Sequence, residues 1–116
     1  MNNVSFKDDL TYVLVNSNIN RKQNLNFPLA FSKEFKYLPI DDMNLSARAS
    51  NVLKRYKVFT MQDLMDNMDN FYKYRNCGVG TVKEIKNKFL QFWYENIDEK
   101  LRTEFWEEFI TTNAAA

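Results

Sequence analysis

Two groupings in this sequence have residue types and spacings that could do chemistry. The first is the stretch 76–81, Asn-Cys-Gly-Val-Gly-Thr, which holds both glycines of a 116-residue chain, two residues apart. Two glycines flanking one apolar residue permit a tight hairpin in unusual φ/ψ regions, with Val79 plugging the core and the glycine backbone left bare. A long helix follows from about Thr81, and the first N–H groups of a helix lack partners within it. Bare amides at a helix start suit a phosphate. This is the logic of a helix-hairpin-helix turn, which grips a nucleic-acid backbone without reading its sequence. The plainer reading is an interhelical turn whose glycines serve packing only. The second grouping is Arg48, Asn51 and Arg55, at i, i+3 and i+7, on one face of a helix. It reads either as a polar stripe facing a polyanion or as a solvated face.

Other chemistries find no support. The protein has no histidine and one cysteine, so neither a zinc site nor an activated thiol is expected. Cys77 reads as a small buried residue, and a lone cysteine excludes an internal disulfide and fits a reducing compartment. Asp41–Asp42 and Asp66/Asp69 lack the spacing of a calcium loop or of a carboxylate pair for acid–base work. No phosphate-binding Walker loop is present. The residues favour a non-enzymatic protein with no metal and no cofactor.

The elements that must position the two groupings follow from pattern and punctuation. Hydrophobic residues make up 45% of the sequence, aromatics 16% and charged residues 27%, enough for a packed core. Scarce glycine and proline favour helices. Net charge is +1, but residues 44–95 carry nine Lys/Arg against five Asp/Glu, and residues 96–113 two against five. A basic middle therefore precedes an acidic tail. The first residues have no basic region leading into an apolar run, and Leu-Thr-Tyr-Val-Leu-Val is too short to span a membrane. The expected location is the cytoplasm, away from membranes.

Residues 4–15 are read as a helix on Phe6, Leu10, Val13 and Leu14, although Tyr-Val-Leu-Val also suits a strand. Residues 16–40, rich in Asn, form an irregular arm pinned by Phe27, Phe31, Phe35 and Tyr37. Ser46 is a good N-cap for a helix burying Ala49, Val52, Leu53 and Tyr56. Thr60 starts a second helix, with Asp63 in the capping-box position and Met61, Leu64, Met65 and Met68 as its buried stripe. A short third helix covers residues 70–74. The long helix of residues 81–94 buries Val82, Ile85, Phe89, Phe92 and Trp93 and leaves Lys83, Lys86, Asn87 and Lys88 largely to solvent. A last amphipathic helix over residues 97–110 has Asn96 and Glu99 as its capping box and Leu101, Phe105, Trp106 and Phe109 as its apolar side.

With these elements in place, residues 39–64, PIDDMNLSARASNVLKRYKVFTMQDL, and 74–89, YRNCGVGTVKEIKNKF, together resemble the C-terminal domain of the bacterial RNA polymerase alpha subunit. Shared features are the acidic pair before the first helix, the short polar cap, Arg-x-x-Asn-x-Leu-Lys, a second helix ending in Asp-Leu, the Asn-x-Gly hairpin and Glu-Ile-Lys. The resemblance covers roughly residues 38–92. It implies an all-α fold, a compact bundle of short helices, from a bacterial or phage setting. It also implies binding to A/T-rich minor grooves of double-stranded DNA upstream of promoters, and contact with other transcription proteins. On this basis Arg48 enters the groove, Asn51 bonds nearby backbone or base edges, and Asn76, Gly78, Gly80 and Thr81 hold phosphates, with Lys83 close by. The sequence departs from the family at Gly80, where a lysine is common, and at Val79, often basic. Lys83 and Arg75 are the candidates to compensate.

The resulting plan is an N-terminal arm over residues 1–37, an alpha-C-terminal-domain-like region over 38–96, a C-terminal helix over 97–113 and a cloning remnant at 114–116. The first function expected is a DNA-binding transcription accessory or regulator. The alternative is a protein–protein adaptor that kept the fold and lost DNA binding. Its contact surface would be the last helix, through Trp106, Phe105 and Phe109, on another protein or on a second copy as a homodimer. Read plainly, Phe27, Phe31, Phe105 and Phe109 only add core to a small domain.

Overall fold

A computed structural model describes residues 4–75 and 77–114. Six α-helices and two 3-10 turns make up its regular structure, with no strand among the described residues, so the all-α expectation holds. The backbone divides into two compact units, one of Phe31–Phe92 and one built from the residues up to Ala30 and from Trp93 onward.

The Phe31–Phe92 unit contains α2 (Lys33–Lys36), a 3-10 turn (Ile40–Met43), α3 (Ala47–Arg55), α4 (Met61–Asp66), a second 3-10 turn (Phe71–Lys73) and most of α5 (Val79–Glu95). The starts of α2, α3 and α4 have a local cause. Ser32 accepts the Phe35 amide, Ser46 accepts the Ala49 amide, and Thr60 and Asp63 form the expected reciprocal box. Each cap satisfies amides that the helix cannot. The core of this unit is Phe35, Ile40, Met43, Ala49, Val52, Leu53, Val58, Met61, Leu64, Phe71, Ile85 and Phe89, all buried.

The unit begins earlier than residue 38 because Phe31 and Phe35 stack on each other at 5.6 Å and both meet Phe89. Tyr37, expected to pin the arm, is exposed instead. A short extended pairing joins Ile40 to the Phe59 carbonyl and Met61 to the Leu38 carbonyl, each at 2.9 Å. The expected third helix is only the 3-10 turn Phe71–Lys73.

The other unit contains α1 (Phe6–Asn16) and α6 (Glu99–Ala114), so the strand alternative for the first segment is ruled out. Ser5 caps α1. Asp98, rather than Asn96, caps α6 by accepting the Leu101 amide at 2.8 Å. Phe6 anchors an aromatic cluster with Phe27, Tyr94, Phe105 and Trp106. Phe105 and Phe109 are buried, which corrects their expected role as a partner-binding surface: both rings are spent on their own core. Trp106, half-buried, donates its indole N–H to the Tyr94 hydroxyl at 2.7 Å, and that hydroxyl donates to Asp9 at 2.5 Å. Burial, then this hydrogen bond to Asp9, pushes the Tyr94 phenol up to about 12. Leu101, expected on the apolar side, is exposed.

The Asn-rich arm is ordered by hydrogen bonds. The buried Asn113 side chain donates to the carbonyls of Asn26 and Phe109 and accepts the Asn26 amide, at 2.8–2.9 Å. All of its polar atoms are thereby matched, as burial demands. No helix among the described residues is long and apolar enough to cross a membrane.

Candidate nucleic-acid interface

Arg48 lies at the start of α3 and residues 78–81 at the start of α5, both in the Phe31–Phe92 unit, and one contact ties the approach to α3 to α5. Ser46 donates its amide and its hydroxyl to the two carboxylate oxygens of Glu84, at 2.7 and 2.8 Å. One turn further along α5, Lys88 donates to the Asn44 carbonyl at 2.8 Å. The segment just before α3 is thus fastened to the second and third turns of α5. The Ser46 amide holds the Glu84 carboxyl below its ordinary value, helped by the Ser46 hydroxyl and the Lys88 charge, against the opposing effect of burial.

Arg48 stands two residues past this tie and Gly80 one helical turn before it, about 6 Å along the α5 axis. Arg48 and, one turn on, Asn51 are exposed. Arg48 has no salt bridge or hydrogen bond among the described residues. Gly78, Gly80 and Lys83 are exposed as well. Thr81 is not: it is only 8% exposed, and it faces inward with the buried Cys77. Asn76 lies outside the described residues. The Cys77 thiol is free, and burial pushes its pKa up.

The hairpin differs from expectation in two ways. α5 starts at Val79 rather than Thr81, its first bond running from the Val82 amide to the Gly78 carbonyl at 3.0 Å. Val79 consequently sits on the first turn, 75% exposed, and plugs nothing. Second, neither glycine has a positive φ, and a Cβ built on either would meet nothing within 4 Å. The left-handed positions among the described non-glycine residues are Asn18, Asn44 and Lys57. The glycines therefore serve neither an unusual turn nor internal packing, and both the strained-hairpin and the packing readings fall.

Sequence reasoning missed Glu84 and Lys88 as positioning residues. Their i, i+4 spacing was visible, but a partner 38 or 44 residues away leaves no local trace. No group of His, Cys, Asp or Glu among the described residues could hold a metal ion.

The arrangement is a small all-helical unit in which the segment leading into α3, with its exposed Arg48, is bonded to α5, whose first turn follows an exposed glycine and contains another. Residues 31–91 match the family model of the C-terminal domain of the bacterial RNA polymerase alpha subunit, more than half of the sequence, and the protein belongs to that family. It is also 38% identical over 52 residues to a DNA-directed RNA polymerase subunit alpha from Takakia lepidozioides. That match takes in 44% of this protein and only 15% of the relative. No solved structure matches. The family model describes one domain of the polymerase alpha chain, and the match spans well under two thirds of the relative's length.

Proposed function

We propose that the protein is a DNA-binding transcription accessory or regulatory protein that engages the A/T-rich minor groove. The observation that carries this reading is the Ser46–Glu84 tie, which fastens the residue two before the exposed Arg48 to the second turn of α5. A narrow A/T groove concentrates negative potential and draws in an arginine. Asn51 follows one turn behind it and bonds the sugar–phosphate edge or a base. Gly78 and Gly80 let a phosphate come close to the backbone amides of the first turn of α5, with Lys83 near it. These contacts position the protein more than they read sequence. Asn76 completes the phosphate seat in this reading. Thr81 contributes through its place in the turn rather than through its buried hydroxyl.

The test is fluorescence anisotropy with an A/T-rich duplex and a G/C-rich control, at low and at physiological salt, with Arg48→Ala alongside. Binding that prefers A/T, weakens with salt and disappears in Arg48→Ala is the expected result. Absence of binding even at low salt sinks the proposal. A second reading would then take over, a protein-interaction adaptor. It is favoured by Val79, an apolar side chain held 75% exposed at the start of α5, a poor neighbour for phosphate and a good one for another protein.

A further inference from the structure

The polar face of α3 continues past Asn51. Arg55 follows Arg48 by seven residues on the same face, two turns or about 10 Å along the axis. The helix then closes in a left-handed turn, the Val58 amide bonding the Leu53 carbonyl at 2.9 Å and the Lys57 amide the Lys54 carbonyl at 3.0 Å. Lys57 occupies the left-handed position, with φ 62°, and is exposed. Between Arg55 and Lys57, Tyr56 reaches across to a second segment. Its ring stacks on Tyr74 with centroids 3.9 Å apart and planes 8° from parallel, and its hydroxyl accepts the Arg75 amide at 2.9 Å.

Those two contacts hold the segment carrying Lys73 and Arg75 against the end of α3. Four exposed cations, Arg55, Lys57, Lys73 and Arg75, are therefore carried on the two segments joined at Tyr56, and no ion pair is made by any of them among the described residues. Tyr72 lies at the rim, 73% exposed, with the Lys73 ammonium 5.6 Å from its ring centre. Lys54 is not part of the group, because it pairs with Asp41 at 3.0 Å. Cations at the end of α3 offset its own dipole. Lys73 and Arg75 come from elsewhere and have no such reason to be there. Uncompensated charge of one sign attracts a polyanion.

We propose that this cluster is a second phosphate-contacting strip that extends the DNA footprint of α3 beyond Arg48. The inference rests on the DNA reading above. Its occupant is DNA rather than an acidic protein because the strip is continuous with the Arg48 face. The minor groove is only about 6 Å wide, so a point about 10 Å from an arginine in the groove falls on the flanking phosphates. Double-stranded DNA carries one charge per about 1.7 Å of axis, which leaves such a strip always facing phosphate.

The test compares wild type with the triple variant Arg55→Gln/Lys57→Gln/Arg75→Gln on one A/T-rich duplex. The slope of log K against log[salt] is measured between about 50 and 200 mM, with circular dichroism to verify helicity. Each lost phosphate contact lowers the slope magnitude by about 0.9, so the triple variant should lose about 2.7. Its preference for A/T over G/C should be unchanged. A triple variant with wild-type slope, beside an Arg48→Ala variant that no longer binds, overturns the strip and leaves the groove reading intact. Failure of wild type to bind DNA overturns both. Should the triple variant lose helicity, Lys57→Glu alone repeats the measurement at a single exposed position. There a slope reduced by about one or more supports the strip, and an unchanged slope overturns it.

Discussion

Replacing Glu84 with glutamine tests whether the tie between the two helix starts is as strong as its geometry implies. The carboxylate accepts two hydrogen bonds from Ser46, at 2.7 and 2.8 Å, lengths at the short, charge-assisted end of the range. A hydrogen bond to a charged group contributes about 1.5–3 kcal/mol net, and an exposed ion pair well under about 1. Glu84 is half-buried, and glutamine keeps one acceptor, so the expected loss is about 1 kcal/mol, or about 4 °C in melting temperature for a protein of this size. The sign of the pH dependence follows from the native carboxyl lying below its ordinary value of 4.5, chiefly because of the Ser46 amide. A depressed carboxyl contributes stability that is complete above 4.5 and is lost as pH falls through the native value. Thermal melts of wild type and Glu84→Gln should therefore differ at about pH 7, converge below 4.5 and coincide in stronger acid. A Ser46→Ala/Glu84→Gln cycle should give a coupling of about 0.5–1 kcal/mol. A gap that stays constant down to about pH 3, or strictly additive single variants, would refute the reasoning.

Three further outcomes follow. Lys57→Gly should stabilise the protein by about 0.5–1 kcal/mol in urea unfolding, because a non-glycine residue there holds φ 62°; a loss of stability would mean that the Lys57 side chain packs. Gly80→Ala should raise stability by about 0.5 kcal/mol, since it lies in the first turn of α5 and an added Cβ meets nothing. If a phosphate approaches that backbone, the same variant binds DNA more weakly despite being more stable. Phe109→Ala, at a fully buried ring stacked 5.5 Å from Phe27, should cost about 3–5 kcal/mol, and a cost under about 1 kcal/mol would return Phe109 to the surface.

What the sequence disclosed is what acts within one or two turns. Ser46, Thr60 and Asp63 announce helix starts because a cap bonds an amide two or three residues on. The period of Ile85, Phe89 and Trp93 announces α5 because one face must be buried. What it concealed is settled across distance. Asn113 finds Asn26 across 87 residues, Ser46 finds Glu84 across 38, and Phe31 and Phe35 join the unit they precede only because Phe89 offers them a ring. The candidate site divides along the same line. Arg48 and Asn51 were legible from helical spacing, but their position relative to Gly80 depends on a carboxylate that no local rule would single out.

The two glycines carry the argument furthest. Glycine costs a helix roughly 0.5–1 kcal/mol relative to alanine, so a protein with only two should place them where a left-handed turn or close packing needs them. Here the left-handed positions among the described residues go to Asn18, Asn44 and Lys57. The glycines take ordinary backbone angles with open space around them. Gly78 stands just before α5, where glycine is a favoured cap, but Gly80 lies inside the helix and forgoes stability there although a Cβ would meet nothing. A cost with no return inside the molecule points outward, to something that approaches this backbone more closely than a Cβ would allow. Gly80→Ala separates the two sides of that argument in one variant: stability reports what the fold wants, and DNA affinity reports what the partner wants.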